Sequence, residues 1–454
     1  MAHVEPPIKR RPTWVQSDRT VPTLFVRPVR RFMDLEASSG VILLIMAVVA
    51  LIWANSASAD SYFGLLDYHV VVELGDVHIL DESIKHLIND GLMVLFFFVV
   101  GMEIKRELVL GELNDAKTAA LPAIAAVGGM VVPALIYVAF AAGIEGAGPG
   151  WGIPMATDIA FSVGIVALLG TRVPLTAKLF LLALAIVDDI GAIAVIAIFY
   201  TTDLAFFWLL AAIALLALIY ILSRTNVRLT GVYWVLGILA WYAMLESGVH
   251  ATLAGVAVGL ITPARPFYSS REYDALARRT IELYSADETT QDAREEVDFE
   301  VLQLSKVARD SVAPLTRLEH ALAPWTSFFV VPLFALANAG ISFDGVEIGE
   351  AITSGVALGV AFGLVLGKTF GVTLFAWLAV KAGIGSMPRG ANWQMMTGLA
   401  MLAGVGFTVS LFITELAFEA QSPLVDLAKI GIFLGSAVAG IGGYLLLRIR
   451  SRTA

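Results

Sequence analysis

The chain has 454 residues, of which 58% are apolar and only 15% are charged, with 30 Lys and Arg against 39 Asp and Glu. Soluble domains usually carry about 25% charged residues, so this composition excludes a cytosolic enzyme, a disordered chain and a nucleic-acid-binding protein. The absence of Cys excludes thiol catalysis, thiolate metal sites and disulfides. We therefore expect an all-α polytopic membrane protein.

Twelve apolar stretches approach the length that a membrane-spanning helix needs, about 20 residues. The seventh and eighth are short and almost continuous. The predicted spans lie near residues 38–55, 84–102, 117–142, 150–169, 176–200, 204–223, 230–245, 248–263, 319–340, 354–380, 395–418 and 425–447.

Loop charges alternate along these predicted spans. The N-terminal tail, the even-numbered loops and the C-terminal tail hold Lys and Arg, whereas the odd-numbered loops hold Asp and Glu and no Lys or Arg between span ends. Basic residues collect on the cytoplasmic side, so the pattern predicts twelve spans with both termini inside. Lys85 and Lys429, at the beginnings of two spans, are expected to extend their ammonium groups toward water.

The topology divides the chain into three parts. Residues 1–37 form a cytoplasmic tail, 38–447 the transmembrane domain and 448–454 a short cytoplasmic tail. Within the domain, the inside loop 264–318 is long, and residues 271–310 contain 11 acidic and 6 basic side chains. We expect a solvated insertion with one or two amphipathic helical pieces, a spacer rather than a regulatory element.

The first outside loop has two unusual segments. Ala57-Ser58-Ala59 resembles a signal-peptidase site, but about 37 polar residues precede the first apolar run, which favours an uncleaved first helix. Residues 68–80 place Gly75-Asp76 between β-branched runs, which predicts a small outer β-hairpin. A lone hairpin is marginal in water, so it either packs on a second protomer or remains a mobile ribbon.

Four ionisable residues lie inside predicted spans, where each costs about 2.5–3.5 kcal/mol on insertion scales. Asp158 is in the fourth span, Asp188 and Asp189 are in the fifth and Lys368 is in the tenth. Three carboxylates exceed one ammonium, so protons or a bound cation must neutralise the surplus. Neighbouring helix positions point about 100° apart, so one Asp of the pair can meet Lys368 while the other faces a cavity beside Asp158.

Backbone breaks are predicted beside these charges. Pro154 and the Gly-rich run 146–150 disfavour a regular fourth helix, and Gly404-Val-Gly406 weakens the eleventh. Phe161-Ser-Val163 in the fourth span is echoed by Phe407-Thr-Val409 in the eleventh. Interrupted spans in corresponding positions of two halves indicate a transporter site between inverted-topology repeats, although close helix packing accounts for the eleventh-span glycines almost as well.

These residues carry a resemblance to the bacterial NhaA-type sodium/proton antiporter family, from about residue 32 to 450. The Asp188-Asp189 pair with its flanks is the most specific match, and Ser247-Gly-Val-His250 is nearly as good. The matching segments are 101–108, 156–161, 183–192, 247–255, 332–340 and 367–371.

The resemblance implies roles for individual residues. Asp188 and Asp189 would form the centre that binds Na⁺ or Li⁺ and carries protons, and Lys368 would offset negative charge. Asp158 and Thr157 would lie where two discontinuous helices, the fourth and eleventh, cross. The hairpin 68–80 resembles the family's dimer contact.

The family's pH-responsive cytoplasmic funnel maps onto residues on two spans. Two departures lie near it: Ala323 stands where some members have a second His, and the acidic insertion is longer. The funnel residues are Glu103, Arg106, Glu107, Glu319 and His320.

A carboxylate cannot hold a proton and coordinate Na⁺ at once, which predicts alternating-access export of Na⁺ or Li⁺ in exchange for H⁺. The resemblance implies that this exchange takes place across a bacterial plasma membrane and serves sodium and pH homeostasis. Two titrating groups would allow two H⁺ per Na⁺, an electrogenic exchange. No cofactor is expected beyond the transported ions. The alternatives are a sodium-coupled solute symporter of similar fold and, less favoured, an intramembrane aspartyl protease, whose two Asp would lie on different helices.

Overall fold

A computed structural model describes residues 38–450 apart from 75–76, 202–203, 228, 286–290, 344–347 and 420–421. In this part the chain is mostly helical, with one small antiparallel sheet. The elements in chain order are α1 (Ser38–Ala54), α2 (Ala59–Leu66), β1 (His69–Leu74), β2 (Val77–Ser83), α3 (Ile84–Val109), α4 (Ala116–Ala141), a 3₁₀ helix (Gly148–Met155), α5 (Ile159–Leu168), α6 (Leu175–Phe199), α7 (Phe206–Arg224), α8 (Thr230–Leu245), α9 (Thr252–Ile261), α10 (Ser270–Ser285), α11 (Gln291–Asp310), α12 (Pro314–Asn338), α13 (Ile348–Thr353), α14 (Gly355–Lys381), α15 (Trp393–Leu402), α16 (Phe407–Ala417) and α17 (Pro423–Arg450).

The helices support a multi-pass membrane protein. In the described residues, eight helical segments are long and apolar enough to cross a bilayer, and counting the bent pairs α1–α2 (115°) and α15–α16 (48°) as single spans gives up to ten. The shorter apolar helices α8 and α9 fall where the seventh and eighth spans are predicted. Large apolar side chains point outward on α7, where Phe206 and Phe207 are 75% and 77% exposed, as expected of a helix that faces lipid.

The apolar helices of the described chain form two bundles. The first bundle consists of α1, α3, α7, α8, α9 and α12, and its tightest contact joins α3 to α9. The second bundle consists of α4, the 3₁₀ helix with α5, α6, α14, α15 with α16, and α17, and its tightest contact joins α4 to α14. Contacts between the bundles, such as those of α1 with α5 and of α3 with α6, are sparser.

Glycine makes the α3–α9 contact close. A Cβ atom on Gly101 would lie 2.6 Å from the Val256 carbonyl oxygen, and one on Gly259 would lie 2.6 Å from the Phe98 carbonyl oxygen. Small residues allow helix backbones to approach in this way inside membranes.

Three spans contain a π-helical turn: Leu87–Leu92 in α3, Thr326–Val330 in α12 and Gly363–Gly367 in α14. Such turns occur frequently at functional sites. The turn in α14 immediately precedes Lys368, so the span is irregular at the residue that carries its buried charge.

The β-hairpin predicted from the sequence is present. β1 and β2 pair antiparallel, with His69 opposite Ser83 and Leu74 opposite Val77, and a bulge lies between Val72 and Glu73. The turn residues 75–76 lie outside the described residues. We call the end of the molecule that carries this sheet the hairpin end.

The long loop contains the helical pieces expected of it. α10 packs on α11, and Arg279 Nη2 lies 3.2 Å from Glu300 Oε1. The Phe267 amide donates to the Asp310 carbonyl oxygen at 3.0 Å, so the two ends of this insertion meet. We call this the insertion end of the molecule.

Candidate functional site

Two interrupted spans meet at their breaks. The first break separates the 3₁₀ helix from α5, and the second separates α15 from α16. Thr157 Oγ1 lies 2.8 Å from the Ala403 carbonyl oxygen, and the Asp158 amide donates to the Val405 carbonyl oxygen at 2.6 Å. The non-helical backbone of each span is therefore partly satisfied by the other, as a membrane interior requires.

Asp158 joins the two half-helices that leave this crossing. Its Oδ1 caps α5 by accepting from the Phe161 amide at 3.1 Å. Its Oδ2 accepts from the Thr408 amide at 3.1 Å and from Thr408 Oγ1 at 2.5 Å, at the beginning of α16. Both helix N-termini present unsatisfied N–H groups and positive dipole ends, so one buried carboxylate stabilises both.

Asp188 is held by an ammonium and a hydroxyl. Lys368 Nζ donates to Asp188 Oδ2 at 2.7 Å, which is the pair expected from the sequence, and both side chains are fully buried. Thr157 Oγ1 lies 2.8 Å from the same oxygen. Because a hydroxyl has one hydrogen, Thr157 can donate either to Asp188 or to Ala403 at a given moment. Asp188 Oδ1 has no hydrogen-bond partner in the described chain.

Asp189 differs from its neighbour. The residue is 6% exposed, and within the described residues its side chain makes no hydrogen bond. Its charged neighbours are Asp188, Glu103, Asp158 and Lys368. Glu103 belongs to α3 of the first bundle, so Asp189 lies near the boundary between the bundles.

The arrangement leaves negative charge and oxygen atoms available. Of the four mid-membrane charges in the described chain, Lys368 and Asp188 form an ion pair, whereas Asp158 and Asp189 form none. Asp188 Oδ1 has no hydrogen-bond partner there, and no described donor lies on the Asp189 carboxylate. Small hard cations prefer carboxylate, carbonyl, hydroxyl and water oxygens. No group of three or more Asp, Glu or His in the described residues converges in a metal-binding arrangement, so a bound cation would also draw on backbone, hydroxyl or water oxygens.

The predicted funnel residues form a second cluster, toward the insertion end. Arg106 pairs with Glu319 of α12, and Arg106 Nε lies 3.7 Å from Glu107 Oε1. Glu103 has Glu319, Arg106 and Glu107 as its charged neighbours. His320 is exposed and takes no part in these contacts.

Sequence reasoning missed two partners of the crossing. Thr408 holds Asp158, and Ser162 Oγ donates to the Leu402 carbonyl oxygen at 2.8 Å. The echo between Phe161-Ser-Val163 and Phe407-Thr-Val409 contains both hydroxyls, and it was the available signal. The first residues of the two echoed segments are also in contact, since the ring centroids of Phe161 and Phe407 lie 5.4 Å apart.

The expectation that Lys85 and Lys429 reach for water is wrong. Lys429 Nζ lies 3.1 Å from Glu415 Oε1, and its side chain is 5% exposed. Lys85 Nζ lies 2.6 Å from Glu415 Oε2. A carboxylate at the end of α16 captures both ammonium groups, and the sequence offers no local spacing that would indicate this.

Comparison with known proteins adds an independent line of evidence. A family model described as Na+/H+ antiporter 1 matches residues 30–447. The chain is 46% identical to a Na(+)/H(+) antiporter NhaA of Oleidesulfovibrio alaskensis, with 94% of each chain covered. It is 46% identical to one of Rhodopirellula baltica, covering 93% of this chain and 94% of the relative, and 42% identical to one of Escherichia coli, covering 94% and 99%.

Proposed function

The chain belongs to the Na⁺/H⁺ antiporter 1 family and is a Na⁺/H⁺ antiporter, a transporter and not an enzyme, and on this premise we propose that Asp188 and Asp189 exchange Na⁺ for H⁺. The observation that carries the proposal is their placement on α6: two adjacent buried carboxylates, of which one is tied to Lys368 and the other has no donor. The alternatives of a solute symporter and an aspartyl protease are set aside by the family.

The mechanism is competition for carboxylate oxygen. Asp189 takes either a proton or the cation. Asp188 supplies Oδ1, and its bond to Lys368 keeps one of its oxygens neutralised. Thr157 adds a hydroxyl oxygen beside Asp188. Asp158 holds the crossing of the two broken spans in place through its bond to Thr408.

Transport then follows by alternating access. Na⁺ binds from inside and displaces protons, the site opens outward, and external protons displace Na⁺. If both Asp188 and Asp189 titrate in each cycle, two H⁺ enter per Na⁺ and the exchange carries net charge. Li⁺, another small hard cation, fits the same oxygen set.

The role of the pair is tested in everted membrane vesicles with an imposed pH gradient. Asp189→Asn and Asp188→Asn should each abolish the collapse of the gradient that Na⁺ or Li⁺ causes, while Asp60→Asn, at an exposed position of α2, should leave it intact. Full Na⁺-dependent collapse with either site variant would overturn the assignment.

The stoichiometry is tested separately, in proteoliposomes. With equal pH on both sides and a fixed Na⁺ gradient, an imposed membrane potential should change the Na⁺ flux, and the potential at which flux vanishes should fit two H⁺ per Na⁺. Flux that ignores the potential would mean one-for-one exchange.

We also propose twelve spans with both termini cytoplasmic in a bacterial plasma membrane, with 1–37 and 448–454 as tails of the 38–447 domain. Three observations support this topology: up to ten candidate spans in the described residues, the short apolar helices α8 and α9, and the alternation of loop charge. Reporter fusions at the ends of α7 and α9 test whether α8 and α9 each cross the membrane.

Two further proposals concern the response to pH and the oligomeric state. The cluster of Glu103, Arg106, Glu107 and Glu319, with His320 beside it, would adjust activity to internal pH. The ion pair between Arg106 of α3 and Glu319 of α12 supports this role. The hairpin 68–80 would join two protomers, supported by the exposed edge of a two-stranded sheet. Shortening the hairpin should reduce the dimer fraction in detergent without abolishing exchange.

A further inference from the structure

A buried cluster of charges joins the two bundles at the hairpin end. Glu415, on α16 of the second bundle, meets Lys429 of the same bundle at 3.1 Å. It also meets Lys85, on α3 of the first bundle, at 2.6 Å. The Glu415 side chain is 8% exposed and that of Lys85 is 21% exposed. Asp426 is a further charged neighbour of the cluster, so two carboxylates face two ammonium groups.

The pair Lys85–Glu415 differs from the other deeply buried pair. Lys368 and Asp188 lie on α14 and α6, both in the second bundle, and their bond survives any movement of one bundle against the other. Lys85 and Glu415 lie on opposite sides of the boundary. A rigid movement that separates the bundles at this end must break their contact.

The cluster is built so that this break leaves Glu415 with a partner. When Lys85 leaves, Lys429 remains on Glu415 within the second bundle. Lys85 is more exposed than Glu415 and Lys429 and has a long flexible chain, so its ammonium can move to water. Removing one partner from a buried pair normally costs several kcal/mol because the other charge is stranded, and the second lysine avoids that cost.

The cluster lies between the ion site and the hairpin end of the molecule. Glu415 follows Thr408 by about two helical turns, or roughly 10 Å along α16, so it lies on the hairpin side of the crossing. On α3, Glu103 lies about 27 Å further along the helix than Lys85, and there it is a like-charged neighbour of Asp189.

We propose that Lys85 and Glu415 form a latch that closes the hairpin end of the transport path and opens once in each cycle. The inference rests on the proposed alternating access at Asp188 and Asp189. Between the latch and the crossing, Phe412 contacts Phe97 and Phe334 of the first bundle, with centroids 5.0 and 6.1 Å apart. These rings complete the closure, and they separate when the latch opens.

The absence of Cys in the natural sequence gives a direct test. The double variant Lys85→Cys/Glu415→Cys is joined with a flexible, reducible bifunctional thiol reagent in proteoliposomes, and the joined peptides are identified by mass spectrometry. Cross-linking should stop Na⁺/H⁺ exchange, and reduction should restore it. The matched control is Glu415→Cys/Lys429→Cys, joined within one bundle, which should continue to exchange. Full exchange with positions 85 and 415 joined would overturn the latch.

A second measurement does not depend on transport. In a Phe412→Cys background, the rate of thiol alkylation reports opening between the latch and the crossing. Lys85→Met should raise this rate by about fivefold, the population shift expected from losing one partly buried ion pair. Lys429→Met leaves the latch pair in place and should change it less. An unchanged rate with Lys85→Met would contradict the proposal.

The two proposals fail differently. If Asp189→Asn retained exchange, the ion site would be assigned wrongly, yet Lys85→Met should still increase alkylation at position 412. If exchange required Asp189 but continued with positions 85 and 415 joined, the ion site would stand and the latch would fall.

Discussion

At the scale of single residues, the site is defined by how its carboxylates are partnered. Asp158 accepts hydrogen bonds at both oxygens, Asp188 has one satisfied oxygen, and Asp189 has no donor in the described chain. Three acids that look alike in sequence therefore differ in structure: Asp158 links two helices, whereas Asp188 and Asp189 are the two for which we propose exchange. The following substitutions separate these parts.

Lys368 and Asp188 should behave as a coupled pair. Lys368→Met leaves a buried carboxylate without its ammonium, and we expect a loss of about 3–5 kcal/mol in stability. Adding Asp188→Asn removes the stranded charge and should recover most of that loss, although exchange stays absent. Thermal unfolding in detergent measures both. A double variant no more stable than Lys368→Met would show that the two residues are not coupled.

The hydroxyl of Thr408, which bonds a carboxylate, should contribute more to stability than the hydroxyl of Thr414 in the same helix, which bonds a backbone carbonyl. Thr408→Val removes the Oγ1 bond to Asp158, and bonds to charged groups contribute about 1.5–3 kcal/mol. The control Thr414→Val removes a bond to the Ser410 carbonyl within α16, which should cost about 1 kcal/mol. Thr408→Val should therefore lower the unfolding temperature and the exchange rate more than Thr414→Val does. Equal effects of the two substitutions would contradict the linking role of Asp158.

At the scale of elements, close helix contacts set the shape of each bundle. Gly101→Ala would place a Cβ atom against the Val256 carbonyl oxygen of α9, and this backbone cannot yield as a flexible side chain does. We expect a loss of about 1–3 kcal/mol. Gly237→Ala in α8 meets nothing within 4 Å and should be neutral or slightly stabilising. Comparable unfolding temperatures for the two variants would contradict this packing argument.

The sequence predicted elements better than contacts between them. Apolar length located the spans, and Pro154 and Gly404 to Gly406 located both breaks, because these features act locally along the chain. The Asp188–Lys368 pair could be expected because few charges inside a membrane are available to meet. The partners of Asp158 and Glu415 could not be derived, since Thr408 and Lys85 approach them only after helices far apart in sequence have packed.

At the scale of the whole molecule, the insertion stands apart from the transport machinery. Its ends meet through the Phe267–Asp310 hydrogen bond, so the helices between them can be removed without stretching the chain. Replacing residues 269–309 with a short Gly-Ser linker should leave the exchange rate and its pH profile essentially unchanged. A displacement of the profile by about one pH unit or more, measured in everted vesicles, would make the insertion a regulator.

The crossing of the two broken spans also constrains biosynthesis. Thr408 follows Asp158 by 250 residues, and Lys368 follows Asp188 by 180. At a synthesis rate of about 5–20 residues per second, the acids are made roughly 10–50 s before their partners. A nascent chain stopped short of residue 368 would expose its buried acids to the bilayer with no ammonium to receive them. Polar residues uncovered in this way would mark an unfinished antiporter for proteolysis before it could conduct ions.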